Sequence, residues 1–366
     1  MREALLQLLK GERPAAAVWT ADLGYWLHAR AQDGTAKPEW MTTEGRLHFL
    51  QGLGIMPYYE CGLSSYQTRY DDTVEVSQEL SGAKTLTRYR TPVGTLLKEE
   101  TYLPQSFCKA LTRHPVGSER DLDVLLHIVE HRRLVPLDMQ AYRERAETAA
   151  RYGGIPILAV PRSPLPEFFY DWAGVQAAVL LLADCGDQVR RVLQAMEHQG
   201  DDVLESVCAA SPPLVHFCDN LTSATFTGLY DEFMARPYGR HLDRLHAAGV
   251  KCAVHLDGTV RGLLPKLTAV GFDAIEALTP KPVGDVDLAD MRELAGRDSV
   301  ILWGGVPGAM FAPPYGWDDM RKHVARLLDC WEEGPFILGT ADQVPPDGDI
   351  EFCRRIADLV RERRYH

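Results

Sequence analysis

The chain has 366 residues, 46% hydrophobic and 25% charged, with a formal net charge of −12. That is the composition of a globular protein with a sizeable core, and the negative balance disfavours nucleic acid and anionic membrane as partners. The 8 cysteines are scattered without a Cys-x-x-Cys pair, and the N-terminus is charged and amphipathic with no signal-peptide pattern, so reduced thiols and a cytoplasmic location are expected.

Residues 2–10 read as a helix. Residues 15–21 make a first buried strand ending at Asp22, 43–50 a helix, and 54–59 a second strand ending at Glu60-Cys61. Three segments then alternate apolar and polar residues, at 74–80, 84–90 and 95–102. Turn signals at Ser81-Gly82 and Pro92-Val93-Gly94 make them antiparallel hairpins. Ser118 opens a helix as its N-cap, and 139–151 is another helix. From residue 155 the alternation is regular. Strands at 155–160, 214–218, 250–256, 274–278, 300–303 and 336–338 alternate with helices at 173–183, 187–210, 229–248, 260–269, 287–295, 317–331 and 350–363. With the two early strands this gives eight strand–helix units. They predict an α/β fold, a (β/α)8 TIM barrel with a β-hairpin excursion after the second strand, as one domain over residues 1–366. An open doubly wound sheet is the alternative, but Asp22-Leu23-Gly24 is not its glycine fingerprint. The longest apolar stretch, 172–183, is too short to span a bilayer, and the basic run 361–364 reads as a solvated helix end.

In such a barrel the chemistry sits at the C-terminal ends of the strands. Those ends carry Asp22, Glu60, Arg162, Cys218-Asp219-Asn220, His255 with Asp257, Glu276, Gly304-Gly305 and Asp342. Several acids in one mouth repel each other, which favours a metal, a bound cation or a raised carboxyl pKa. His255 and Asp257 lie two apart on a strand and so share a side; with Asp342 they supply an imidazole and two carboxylates, the face of a zinc, iron or manganese site with open positions. The competing reading makes both aspartates helix caps and His255 a core histidine. His216 and Cys218 alternate on the neighbouring strand, as a further ligand or as core. Gly305 follows the seventh strand, where a barrel admits a phosphate or simply turns. No serine has a G-x-S-x-G setting and there is no Walker loop. The candidate catalytic residues are Glu60, Glu276 and Asp219; the candidate substrate contacts are Asp22, Arg162, Asn220 and Gly305; the candidate metal ligands are His255, Asp257 and Asp342.

Five stretches carry a family resemblance: Thr91-Pro92-Val93-Gly94-Thr95, Phe217-Cys218-Asp219-Asn220, His255-Leu256-Asp257-Gly258, Leu302-Trp303-Gly304-Gly305 and Gly339-Thr340-Ala341-Asp342-Gln343. In order and spacing the chain resembles the uroporphyrinogen decarboxylase superfamily, which includes the decarboxylase and zinc-dependent methyltransferases serving corrinoid proteins and methyl-thiol acceptors. The resemblance implies a (β/α)8 barrel with its cleft at the strand C-termini. Porphyrinogen decarboxylases place arginines after the first strand to bind a polycarboxylate; here Trp19-Thr20-Ala21-Asp22-Leu23-Gly24-Tyr25 has none. Their essential aspartate after strand two falls near Glu60, and their histidine after the last strand falls near Asp342. The methyltransferases hold zinc with His-x-Cys and a later Cys. His255 matches, while Asp257 and Asp342 stand in the cysteine places, a harder donor set.

The expected function is therefore metal-dependent methyl transfer or demethylation on a small molecule. The expected cofactor is a divalent metal, zinc first, with a corrinoid protein as the methyl partner that the resemblance implies. A metal-free decarboxylase, with Glu60 stabilising a protonated ring, is the alternative, and a non-catalytic binding barrel a third reading. A homodimer is left open.

Overall fold

The computed structural model describes residues 1–363; Arg364, the last member of the C-terminal basic run, lies outside the described residues. The chain folds into two compact units. The first comprises Met1–Ser64, Asp138–Val160 and the chain from Val207 onward; the second comprises Ser65–Leu137 and Pro161–Ser206.

The first unit holds an 8-stranded sheet. Its strands are β1 (Val18–Asp22), β2 (Leu63–Ser64), β3 (Leu158–Ala159), β4 (Leu214–Leu221), β5 (Lys251–Leu256), β6 (Ala274–Leu278), β7 (Ile301–Pro307) and β8 (Phe336–Gln343). They lie in the order β1-β8-β7-β6-β5-β4-β3-β2, every neighbouring pair parallel. This is a TIM-barrel-like α/β fold, as the strand–helix repetition predicts. The expected second strand at 54–59 is placed differently. The regular pairing there belongs to the short β2, while the chain just before it bonds both ways without a regular ladder. The Met56 N–H donates to Trp19 O (2.9 Å), and Pro57 O and Tyr58 O accept from Ile155 N and Ile157 N (3.2 and 3.1 Å). That segment links β1 to the approach to β3.

One core cluster takes residues from the whole sheet, among them Val18, Leu214, Ala253, Ala274, Ile301, Trp303 and Ile337. Leu5, Leu8 and Leu9 of the first helix, Arg2–Leu9, join it. Their spacing puts them on one helical face, and they pack against residues at the N-terminal starts of the strands, each burial contributing about 2 kcal/mol. The helix thus covers the end opposite to where the sequence places the chemistry. Inside, the buried Trp303 donates Nε1–H to Thr20 Oγ1 (2.8 Å). A Cβ at Gly339 would lie 3.0 Å from both Thr20 Oγ1 and Trp303, so a glycine there makes room for the indole. Pairing slips register between Thr20 and Asp22, between Phe217 and Leu221, and between Ile275 and Leu278. Asn220, Ala277 and Asp342 have φ of +52°, +66° and +66°, which non-glycine residues seldom adopt.

The second unit contains four antiparallel strands, Glu75–Ser81, Lys84–Arg90, Thr95–Leu103 and Cys108–Arg113, paired in sequence order. Tyr66–Tyr70 pairs antiparallel with Arg132–Pro136. Ser118 occupies the N-cap position of helix Glu119–Glu130, but its hydroxyl donates to Asp121 Oδ2 (2.8 Å) instead of accepting a helix N–H. The buried Arg132 guanidinium forks onto Glu167 (2.6 and 3.0 Å), whose Oε1 also accepts the Trp172 indole N–H (2.8 Å). Two predicted helices are each broken. The 187–210 helix splits into Gly186–Glu197 and Asp201–Ala210 around Gly200, and 229–248 splits into Tyr230–Phe233 and Ala235–Ala247, with Pro237 in the first turn of the second piece. Among the described residues no helix is long and apolar enough to cross a membrane.

Candidate active site

A buried polar network centres on Glu276 of β6, whose side chain is 1% exposed. A carboxylate this deep needs partners to offset its lost hydration, and it has two hydrogen-bonding groups and a second imidazole at ion-pair distance. Tyr59 O–H donates to Oε1 (2.7 Å), His255 Nδ1 lies 2.6 Å from Oε2, and His216 Nε2 lies 3.3 Å from Oε2. Tyr58 O–H and His216 Nδ1 are 3.1 Å apart, which extends the network one step further. Burial acts to raise the Glu276 carboxyl, but the His255 charge and the hydrogen bonds from both imidazoles hold it well below the usual range. Burial likewise acts to deprotonate His255; Glu276 overrides it, with Asp257 and Asp342 adding to the effect, and the imidazole is pushed up to about 9. Burial and then the Glu276 charge push the Tyr59 phenol far up, so it stays a donor.

Around this core stand the acids at the strand ends. Asp22, at the end of β1, accepts from Gly24 N (2.7 Å) and from Gln343 Nε2 (3.0 Å); burial still raises its carboxyl. Glu60 accepts the Leu23 N–H on Oε1 (3.1 Å), while its buried Oε2 has no partner among the described residues. Burial, and then the charge of Asp22, push Glu60 up to about 8. Asp257 follows β5, and its Oδ1 accepts the N–H of Gly258; burial raises it, with His255 opposing. Asp342, near the end of β8, reaches solvent on one side. Protein crowding on the others pushes it up to about 6; His255 opposes this, while Asp257, Asp22 and Glu276 reinforce it. Asp22, Asp257, Asp342, Glu276 and His255 therefore lie within electrostatic reach of one another.

The remaining candidates are placed elsewhere or differently. Asp219 is fully buried and accepts the Tyr238 O–H (2.6 Å). Asn220 is exposed. A Cβ at Gly305 would run into Leu327 (2.2 Å) of helix Trp317–Trp331, and Gly305 O lies 2.6 Å from His323 Nε2, so its side-chain position is taken up by helix packing. Arg162 belongs to the second unit, where it pairs with Asp171 (2.8 Å) and its guanidinium lies 5.6 Å from the centre of the Tyr170 ring. Among the described residues, the His255 donor atoms group within 4.8 Å with those of His216 and Glu276, and neither Asp257 nor Asp342 falls in that group. Sequence reasoning missed Tyr58 and Tyr59. They sit next to Glu60 in sequence, but nothing local marks them as partners of a carboxylate 217 positions away.

The sequence signature described as "Uroporphyrinogen decarboxylase (URO-D)" matches residues 111–363. The chain belongs to the uroporphyrinogen decarboxylase family. Members of this superfamily are enzymes, decarboxylases and methyltransferases among them. No curated protein matches the chain with significance. Among solved structures, this family member is similar to a methyltransferase from Methanosarcina mazei, with TM-score 0.62 and 12% identity over 99% of this chain and 98% of that one. It is also similar to a B12-independent methionine synthase from Shewanella sp. W3-18-1, solved in complex with selenomethionine, with TM-score 0.53 and 11% identity over 95% and 98%. At these identities the likeness is one of fold.

Proposed function

We propose that this family member is a methyltransferase acting on a small molecule, with a divalent cation held by His255, Asp257 and Asp342. The observation that carries the reading is the 2.6 Å contact between His255 Nδ1 and Glu276, with two further carboxylates acting on the same imidazole. Metal-binding histidines characteristically donate their second ring nitrogen to a carboxylate, which fixes the ring and leaves the other nitrogen for the ion. Here Nδ1 is engaged by Glu276, so Nε2 would be the nitrogen left for the ion. One imidazole and two carboxylates neutralise a dication and suit zinc or a harder divalent metal. The cation would supply Lewis-acid activation of the acceptor.

The protein's own groups do the rest. Glu276 has both oxygens occupied and a depressed pKa, so it orients His255 rather than exchanging protons. Tyr59 holds Glu276 in turn. Glu60, raised to about 8, carries its proton at neutral pH and is the general acid. Asp22 and Gln343 face the substrate. The acid surplus favours a neutral or cationic substrate and repels polycarboxylates. A metal-free decarboxylase would need an ionised Glu60 to stabilise a protonated ring, which a carboxyl titrating near 8 does not supply. A corrinoid protein is the methyl partner we propose on the family resemblance, and one domain over the whole chain is retained as the domain reading.

Elemental analysis tests the proposal. Purified wild type should carry a divalent metal at the mouth, and His255→Ala should lose that metal together with methyl transfer. Because His255 starts as an imidazolium, uptake should release a proton and tighten as pH rises toward about 9. Equal metal in wild type and His255→Ala would reject the assignment.

A further inference from the structure

A second cluster lies at the other end of β5 and β6, away from the mouth. His246, at the end of helix Ala235–Ala247, places Nε2 2.8 Å from Asp273 Oδ2. The N–H of Cys252, the second residue of β5, donates to the same Oδ2 (2.9 Å). Lys251 Nζ occupies the other oxygen, Oδ1, at 2.9 Å. One donor atom each from His246, Cys252 and Asp273 lie within 4.8 Å of one another. None of the three has a part in the chemistry proposed above.

We infer that His246, Cys252 and Asp273 form a second, thiolate-containing site for a borderline divalent cation of the zinc or cobalt type. The donor set is an imidazole nitrogen, a sulfur and a carboxylate oxygen. Sulfur and imidazole together select zinc-like ions over magnesium or calcium. The donors come from a helix end, a strand start and the turn before β6, so the fold brings together residues up to 27 positions apart. Cys252 is fully buried, so its sulfur is shielded from bulk oxidants, whereas the imidazole side of the cluster is open: the His246 side chain is 34% exposed and gives an ion a way in. Lys251 holds Oδ1, so the ion would enter between His246 Nε2 and Oδ2, with the Cys252 N–H kept on Oδ2.

Binding balances in charge and protons. The ion displaces the thiol proton of Cys252, which leaves to solvent, while His246 ligates through Nε2 as the imidazole tautomer that keeps its N–H on Nδ1. Thiolate plus carboxylate then neutralise the dication. Burial, with Asp273 adding to it, keeps the free thiol protonated well above its ordinary range, so the empty site is inert and binding is proton-coupled.

Cobalt distinguishes this site from the mouth, whose ligand set contains no sulfur. Protein stripped with a chelator, in wild-type and His255→Ala forms, is titrated with Co²⁺ and followed by absorbance and elemental analysis. The expected result is a near-ultraviolet sulfur-to-cobalt charge-transfer band in both forms, saturating at one ion per chain in His255→Ala. Cys252→Ser should abolish the band, and His246→Ala should weaken Co²⁺ binding by at least about tenfold. His246 is partly exposed, so that variant should fold even if the buried Cys252→Ser does not; circular dichroism checks both. No charge-transfer band in folded wild type, a band that survives in folded Cys252→Ser, or unchanged Co²⁺ affinity in His246→Ala would each overturn the inference.

Discussion

Replacing Glu60 by Gln isolates an acid of the mouth that carries its proton at neutral pH. Folded Glu60 titrates near 8 against an ordinary 4.5, so between those values the folded chain holds a proton that the unfolded chain has lost. A state that binds more protons is favoured at low pH, so this acid's contribution falls as pH rises through that window. At about 1.4 kcal/mol per pH unit the full loss is about 5 kcal/mol, and about 3 kcal/mol once the partial exposure of the side chain is allowed for. Glu60→Gln keeps an oxygen for the Leu23 N–H and removes the titration. It also puts an amide where Oε2 has no partner, which costs about 1–3 kcal/mol at every pH. The variant should therefore be less stable than wild type at low pH and gain on it by about 3–5 kcal/mol as pH rises. Urea unfolding followed by circular dichroism, from about pH 5 to about pH 9, measures this directly. Parallel stability curves for the two proteins would refute the raised acid. The same variant should lose about a hundredfold or more in turnover if Glu60 is the general acid.

Further expectations follow from the same contacts. His216→Ala should keep the mouth metal but lose about 3 kcal/mol of stability in denaturant, because it opens a cavity and removes partners of Tyr58 and Glu276. Tyr59→Phe should let Glu276 rise and His255 fall, so NMR titration of the imidazole should show its pKa moving down from about 9. In the second unit, Arg132→Ala should cost about 3 kcal/mol by leaving the half-buried Glu167 carboxylate without its counter-charge, measurable as a lowered unfolding midpoint. Uroporphyrinogen, a polycarboxylate, should not be turned over to coproporphyrinogen; sustained conversion by pure protein would contradict the acid-lined mouth.

The barrel was legible because its signals are local. Short apolar runs ending in polar residues mark the strands, and each strand-end candidate could be read without knowing its neighbours in space. The two long helices break near Gly200 and ahead of Pro237, where a flexible residue and a residue without an N–H favour a fresh helix start over a continuous one. The second strand was expected one step early because residues 55–58 are as apolar as a strand and bond on both sides, while the regular pairing falls at Leu63–Ser64. The candidate site was legible only as an inventory. Glu276 could be named as an acid at a strand end, but its role is set by three partners from distant parts of the chain, and that cannot be read from spacing. Gly305 illustrates the reverse: a glycine at a phosphate-like position turned out to face a helix.

The slipped pairing at the ends of β1, β4 and β6 bears on how this protein can change. Asp22 and Asn220 lie at or within the places where ladder register lapses, whereas Glu276 keeps register with His255 and Asp219 is buried against Tyr238. A side chain exchanged there disturbs few strand-to-strand bonds, because the backbone has already left the regular ladder. Novelty in chemistry and persistence of the scaffold are thus partly separated: the first residues of the strands keep the barrel together, and the partly exposed positions Asp22 and Asn220 have room to vary. A library randomised at these strand ends should retain folded members at a much higher frequency than one randomised at Val18, Leu214 or Ala274, and it is where new substrate preferences of this barrel should be sought.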